Sequence, residues 1–131
     1  MKNSGVLNKN ISELIAGMGH MNELTICDAG LPIPDEVWRI DLAVCQGVPA
    51  FLDVVKAVAG DLQVQQIVLA SELKSKNPGF DQKIKDIFVD VPVLYIPHDE
   101  FKNRSISSRA IIRTGEFTSY ANIILVSGVV F

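Results

Sequence analysis

The sequence predicts one α/β domain, residues 1–131, in which helices flank a mixed β-sheet in three layers. Three observations support this prediction. Strand and helix periodicities alternate along the whole chain, which is typical of α/β domains. A length of 131 residues suits one hydrophobic core and is too short for two independent cores. No linker, repeat or change of composition marks an internal boundary.

The chain is predicted to begin with a helix and a short strand. Asn10 and Glu13 have the spacing of a helix-capping pair, and apolar residues then recur at helical spacing. Gly17 and Gly19 end this pattern, as glycines do at helix C-termini. Residues 24–27 are apolar and predict a buried strand.

A second strand and a second helix follow. Residues 38–44 alternate between apolar and polar side chains, which predicts a half-buried strand. Pro49 suits the first turn of the next helix. The apolar stripe of that helix starts at Phe51 and closes at Gly60.

The second half of the chain continues the alternation. Residues 80–88 carry apolar side chains at helical spacing, which predicts a helix, and a short helix is predicted over residues 98–105. The apolar runs that predict strands are residues 64–70, 91–97, 109–114 and 122–127.

The apolar content is high for so small a domain. Hydrophobic residues make up 48% of the chain, charged residues only 21%, and the mean hydropathy is +0.27. One small domain cannot hide so much apolar surface, so we expect subunit interfaces.

Cys27 and Cys45 both lie in apolar runs, which favours buried, reduced thiols over a disulfide framework.

Charge and hydropathy exclude several classes of partner. The net charge is -3, and the 12 Lys and Arg residues are scattered, so no basic surface for nucleic acid is expected. The longest apolar stretch, residues 121–131, is too short to span a bilayer, and the first residues lack a signal-peptide core. We therefore expect a cytoplasmic protein that binds a neutral or small ligand and does not insert into a membrane.

Polar residues that could take part in catalysis or binding lie where predicted helices and strands end. They are His20 after the first helix, Asp28 after the first strand, His98 after a later strand, and the loop 115–122 with Tyr120. Ligands of α/β sheets bind beyond the strand ends, where loops present polar side chains. The pattern therefore predicts that these four segments, each following a helix or strand, converge on one pocket.

Each of these residues also has a plainer explanation. His20 suits the C-terminal cap of a helix, and Asp28 before Gly and Pro suits a turn. His98, followed by two acids, suits the start of a helix, and Tyr120 and Asn122 could simply pack and turn a loop. Taken singly, the plain roles are favoured. The combination favours a site, because both histidines of the chain lie at element ends near carboxylates.

Other chemistries have weaker support. No HxxxH or CxxC spacing indicates a metal site, and no GxGxxG or GxxxxGK[ST] motif indicates a nucleotide site. Cys27 as a nucleophile would need an exposed position, and its apolar strand predicts core packing instead. Cofactor-free acid–base chemistry, or simple binding of a hydroxylated ligand, remains.

Several motifs, in order and at consistent spacing, resemble the D-ribose pyranase family, relatives of the L-fucose mutarotases. They are GH at 19–20, DAGLPIP at 28–34, GVPAF at 47–51, NP at 77–78, HDEFK at 98–102, IRTGE at 112–116 and YANIIL at 120–125. The resemblance implies an enzyme that interconverts the pyranose and furanose forms of D-ribose, without metal or other cofactor, in support of ribose uptake and catabolism. It also implies a ring-shaped homo-oligomer, a decamer in the family.

By position, the resemblance implies that His20 is the proton donor. Asp28, His98, Tyr120 and Asn122 would bind the sugar, and Lys102 is a further candidate. Opening a cyclic hemiacetal needs a proton delivered to the ring oxygen and another removed from the anomeric hydroxyl. An imidazole can serve either direction near neutral pH. Asp28 could orient His20 if the two residues share a pocket.

Two alternatives stay open at this point. A non-catalytic sugar-binding or regulatory module of a transport system would use the same hydroxyl-binding residues without proton transfer. A purely structural role would predict no effect on any sugar.

The C-terminal third combines an apolar strand with the polar loop 115–122, so we also expect a site completed across a subunit boundary.

Overall fold

A computed structural model describes all residues, 1–131. It contains five helices and six strands. The helices are α1 (Lys9–Ala16), α2 (Phe51–Asp61), α3 (Ser71–Lys76), α4 (Pro78–Ile87) and α5 (His98–Ser105). The strands are β1 (Glu23–Cys27), β2 (Arg39–Asp41), β3 (Val64–Ala70), β4 (Val93–Ile96), β5 (Ile111–Arg113) and β6 (Ile123–Ser127).

The six strands form one mixed sheet in the order β2-β5-β1-β6-β3-β4. β6 is antiparallel to both of its neighbours, β1 and β3, whereas the other neighbouring pairs are parallel. Five strands therefore end at the same edge of the sheet, where β6 begins. We call this the C-terminal edge and the opposite one the N-terminal edge.

Helices cover both faces of the sheet. One face packs against α1 to α4 around 22 buried residues, among them Phe51 and Ile84. The other face carries a smaller core of eight buried residues, in which Phe101 of α5 joins Leu31 and Ile33 from the segment after β1. The three-layer α/β fold predicted from the sequence is confirmed. None of the helices is both long and apolar enough to cross a membrane.

Both predicted helix starts in the first half of the chain were misplaced. The cap of α1 is Asn8, in extended conformation, whose side chain accepts a hydrogen bond from the Ile11 amide at 3.0 Å. Asn10 lies inside the helix instead. Pro49 precedes α2 by two residues, and the helix continues through Gly60 to Asp61. Local spacing alone did not distinguish these neighbouring cap positions.

The prediction of a strand over residues 38–44 was too long. β2 pairs only with β5, at the edge of the sheet, and extends over three residues. Ile40 is buried, but Trp38 is 39% and Val44 is 80% exposed. Beyond β2 the chain turns sharply, with a bridge between Cys45 and Val48. Cys45 is therefore exposed, contrary to prediction, whereas Cys27 is buried as predicted.

Candidate active site

Asp28 and Asn122 meet at the C-terminal edge, where β1 ends and β6 begins. The Asp28 backbone N–H donates to Asn122 Oδ1 at 2.9 Å, and Asn122 Nδ2 donates to Asp28 Oδ2 at 3.0 Å. The Gly30 amide donates to Asp28 Oδ1 at 2.9 Å, so the carboxylate also makes the predicted turn. Asn122 is fully buried, and Asp28 is half-buried. The Asp28–Asn122 pair thus fixes the Asp28 carboxylate at the C-terminal edge of the sheet.

His98 and Tyr120 form an aromatic pair at the same edge. His98 is the first residue of α5, with Asp99 and Glu100 in the first helical turn as expected. The two rings meet edge to face, with 5.1 Å between their centroids. Nδ1 of His98 is buried without a hydrogen-bond partner, which is uncommon for a buried polar atom and accords with a functional position. Tyr120 has a left-handed backbone, with φ of 62°.

Asp28, His98 and Tyr120 border a hollow of about 350 Å³. Asp28 and Pro32 line it from the segment after β1, His98 from α5, and Ser119 and Tyr120 from the loop before β6. A neighbouring hollow of about 410 Å³ shares Asp28 and Ser119 and extends toward Arg113 and Phe117. Both volumes lie within the range of small-molecule sites. The hollow offers a carboxylate, an imidazole and a phenol to a hydroxylated ligand.

His20 does not join this group within one chain. It lies before β1 at the N-terminal edge, whereas Asp28 follows β1 at the C-terminal edge. The five residues of β1 alone span about 15 Å. Within one chain, the structure therefore brings Asp28, His98 and the loop with Tyr120 together and leaves His20 apart. Asp28 cannot orient the His20 ring of its own chain.

The surroundings of His20 also differ from a helix cap. Its side chain is exposed, and Nε2 lies 2.9 Å from Oε1 of Gln65 in β3. The next residue, Met21, has φ of 66° and donates its N–H to the Ser127 carbonyl at the end of β6. The imidazole makes no bond to the carbonyls of α1. His20 is thus held at the surface by the sheet rather than by the preceding helix.

Lys102 also lies apart from the hollow. It is on α5, one turn beyond His98, and its ammonium pairs with Asp99 at 2.8 Å. The Lys102–Asp99 hydrogen bond and charge lower the pKa of the Asp99 carboxyl. Lys102 does not border the hollow lined by His98 and Tyr120. Within one chain, the structure therefore gives Lys102 a contact on its own helix and none with the side chains that line the hollow.

The buried thiol beside the site has the properties of a core residue. Desolvation by burial, with the nearby Asp28 carboxylate, raises the pKa of Cys27 to about 12. A thiol with that pKa is almost wholly protonated at neutral pH, so it is a poor nucleophile. No three His, Cys, Asp or Glu side chains group closely enough to hold a metal ion.

Two residues near the site were missed by the sequence analysis. Glu72 and Lys76 lie on α3, a six-residue helix that the sequence analysis did not predict. Its sequence, SELKSK, has one buried apolar residue, Leu73, and therefore no amphipathic repeat. The one local signal was the charge order, with Glu72 in the first turn and Lys76 in the last, which suits a helix dipole.

Comparison with known proteins gives matches along the whole chain. Residues 1–130 match the family described as "RbsD / FucU transport protein family". The chain is 50% identical to a D-ribose pyranase of Geobacillus thermodenitrificans, over 100% of this chain and 99% of the relative.

Solved structures agree with this assignment. The structure of Bacillus subtilis RbsD complexed with D-ribose matches with a TM-score of 0.96 at 40% identity, covering 100% of both chains. The fucose mutarotase of Streptococcus pneumoniae in complex with L-fucose matches with a TM-score of 0.75 over 95% of both chains. Its identity of 24% supports likeness of fold alone. As the motifs in the sequence indicated, this chain belongs to the RbsD / FucU family.

Proposed function

We propose that this chain is a D-ribose pyranase, which interconverts the pyranose and furanose forms of D-ribose. The observation that carries the proposal is the group of Asp28, His98 and Tyr120 around one hollow, with buried Asn122 holding Asp28 in place. The choice of D-ribose and of this reaction rests on relatives named D-ribose pyranase, which are similar over the full chain. The reaction supports ribose uptake and catabolism, and the cytoplasm is the proposed location.

The proposed chemistry needs only proton transfers. Protonated His20 delivers a proton to the ring oxygen while the anomeric hydroxyl gives its proton to a water molecule, so the C–O ring bond breaks and the open aldehyde forms. A different hydroxyl of the sugar then attacks the aldehyde carbon and returns a proton to His20, while the aldehyde oxygen takes a proton from water, and the other ring closes. A positioned acid or base typically contributes about 10²- to 10⁴-fold to such a step.

The hollow is proposed to hold the sugar during this exchange. Asp28 accepts two protein hydrogen bonds and keeps lone pairs for a sugar hydroxyl. His98 and Tyr120 supply donors and acceptors to other hydroxyls. Asn122 acts by fixing Asp28, because its amide is fully buried and engaged with that residue. Lys102 remains a candidate sugar contact that would need its ion pair with Asp99 to open.

We further propose that a neighbouring copy of the chain supplies His20. His20 and the hollow lie at opposite sheet edges, so one chain cannot bring them together, whereas two copies can. Large apolar side chains are exposed at both edges, which favours self-association: Phe117 is 63% exposed beside the hollow, and Val130 and Phe131 are 85% and 101% exposed beyond β6. The proposed assembly is a ring-shaped homo-oligomer, for which the family resemblance implies a decamer.

Saturation-transfer NMR on D-ribose tests the activity. The wild-type protein should speed the exchange of magnetisation between pyranose and furanose signals, and L-fucose and allose measure its selectivity. Broadening of ribose signals without faster exchange would instead make the protein a sugar binder. No effect on any sugar would contradict both.

A further inference from the structure

The short helix α3 contacts both members of the His98–Tyr120 pair from outside the hollow. Nζ of Lys76 donates to the Tyr120 hydroxyl at 3.2 Å and lies 5.0 Å from the centre of the ring. One turn earlier, the Glu72 carboxylate accepts the His98 backbone N–H at 2.9 and 3.2 Å. Side chains four residues apart share one helix face, so a single turn of α3 contacts both the Tyr120 side chain and the His98 backbone.

Tyr120 needs support from another element. It belongs to the loop between β5 and β6, has a left-handed backbone and is only half-buried. Its hydroxyl has one proton and two lone pairs. When Lys76 occupies a lone pair, the phenol proton is left free to point away from the ammonium. A hydroxyl that accepts from a cation is also polarised into a better donor.

The start of α5 has a similar need. Its N-cap residue is Pro97, which offers no side-chain acceptor to the first amides of the helix. Glu72 supplies that acceptor from α3 and so fixes the backbone position of His98. Hydrogen bonds from its own amide and from the His98 amide lower the pKa of Glu72, which keeps the accepting carboxylate charged.

We propose that Lys76 is a positioning residue of the sugar site: it holds the Tyr120 hydroxyl as a donor toward a sugar oxygen. Glu72 acts with it by anchoring the start of α5. Lys76 does not border the hollow, so it works through Tyr120 rather than on the sugar itself. The inference rests on the proposed ribose pyranase activity and adds a determinant that the motif comparison did not contain.

The chain offers a matched control on the same helix. Lys74 places its ammonium 4.7 Å from the ring centre of Tyr95, whose hydroxyl donates to Asp81 instead of facing the hollow. Lys74→Met therefore removes a similar cation–π contact from the same helix without touching the site. Both lysines are exposed, so neither variant is expected to unfold the protein.

Kinetics by NMR exchange give the first test. Lys76→Met should lower kcat/KM about 3- to 10-fold, the effect of one hydrogen bond, whereas Lys76→Arg should retain most of it. Lys74→Met should match the wild type. In a Tyr120→Phe background, Lys76→Met should have no further effect, because the hydroxyl through which it acts is gone. Wild-type activity in Lys76→Met, or an unchanged loss in the Tyr120→Phe background, would overturn the proposal.

A second measurement separates this proposal from the proposed function. The chain has two tyrosines, so 3-fluorotyrosine gives two ¹⁹F signals, which Tyr95→Phe assigns. Lys76→Met should shift the Tyr120 signal and Lys74→Met only the Tyr95 signal. An inactive wild type would contradict the pyranase assignment, whereas an unmoved Tyr120 signal in Lys76→Met would overturn the positioning contact whatever the activity.

Discussion

Asn122 and Asp28 bind each other in both directions: the amide oxygen of Asn122 accepts the Asp28 backbone N–H, and its NH₂ group donates to the Asp28 carboxylate. The two residues are 94 positions apart and lie at the end of β1 and the start of β6. From the sequence alone, only the family resemblance placed these two residues in the same site. It also sets how the candidate site responds to substitution.

Exchanging the two side chains should separate structure from chemistry. Asn122→Asp places two carboxylates in contact and leaves no donor between them, so it should lower the stability by about 1–3 kcal/mol. Adding Asp28→Asn restores a donor–acceptor pair in the opposite sense and should recover most of that stability, measured by urea unfolding. Ribose exchange should stay low, because the carboxylate is no longer at position 28. Full activity in the exchanged protein would show that the Asp28 charge is dispensable.

His20→Gln should abolish accelerated ring exchange without unfolding the protein. The side chain is exposed and has a single hydrogen bond, to Gln65, so its loss removes little packing. We expect activity to fall by about 10²- to 10⁴-fold, the usual contribution of a positioned acid or base. Thermal unfolding and sedimentation of the variant should match the wild type. Retained activity would move the proton donor to another residue, with His98 as the leading candidate.

Mixed oligomers should test whether the site spans two chains. His20→Ala and Asn122→Ala, each inactive alone, should recover activity when refolded together. At random 1:1 mixing, about a quarter of the interfaces would pair an intact His20 with an intact pocket. Asp28→Ala mixed with Asn122→Ala is the matched control, because these residues share one chain and no interface regains a complete pocket. Equal recovery in both mixtures would argue against the proposed interface.

The two thiols should react at different rates. In native protein at pH 8, Ellman's reagent should modify exposed Cys45 and spare buried Cys27. Cys45→Ser should then show no fast reaction, and urea should expose one thiol per chain. Rapid labelling of Cys45→Ser would contradict the buried position of Cys27.

Burial of Cys27 should also weaken the fold at high pH. Its pKa rises from the ordinary value of 9.0 to about 12 in the folded chain, so folding favours the neutral thiol. The stability contributed by that neutral thiol is complete below pH 9 and is lost as the pH rises toward 12. Urea unfolding at pH 8 and pH 10.5 should show a smaller alkaline loss in Cys27→Ala than in the wild type.

Local features of the sequence determined most of the secondary structure and the family of this protein. The α/β alternation, the buried strands β1, β3 and β6, and a helix starting at His98 follow from periodicity and turn residues, which act over a few positions. The ordered motifs likewise identified the family. The cap at Asn8, the short helix α3 and the exposure of Cys45 did not follow, because no repeat distinguishes them from their neighbours.

Only the tertiary structure decided which candidate residues meet. Because β6 lies between β1 and β3 and is antiparallel to both, it starts where they end, which brings Asn122 to Asp28. The same strand order leaves His20 at the other edge. Strand order depends on contacts between residues far apart in the chain, and local periodicity does not contain that information.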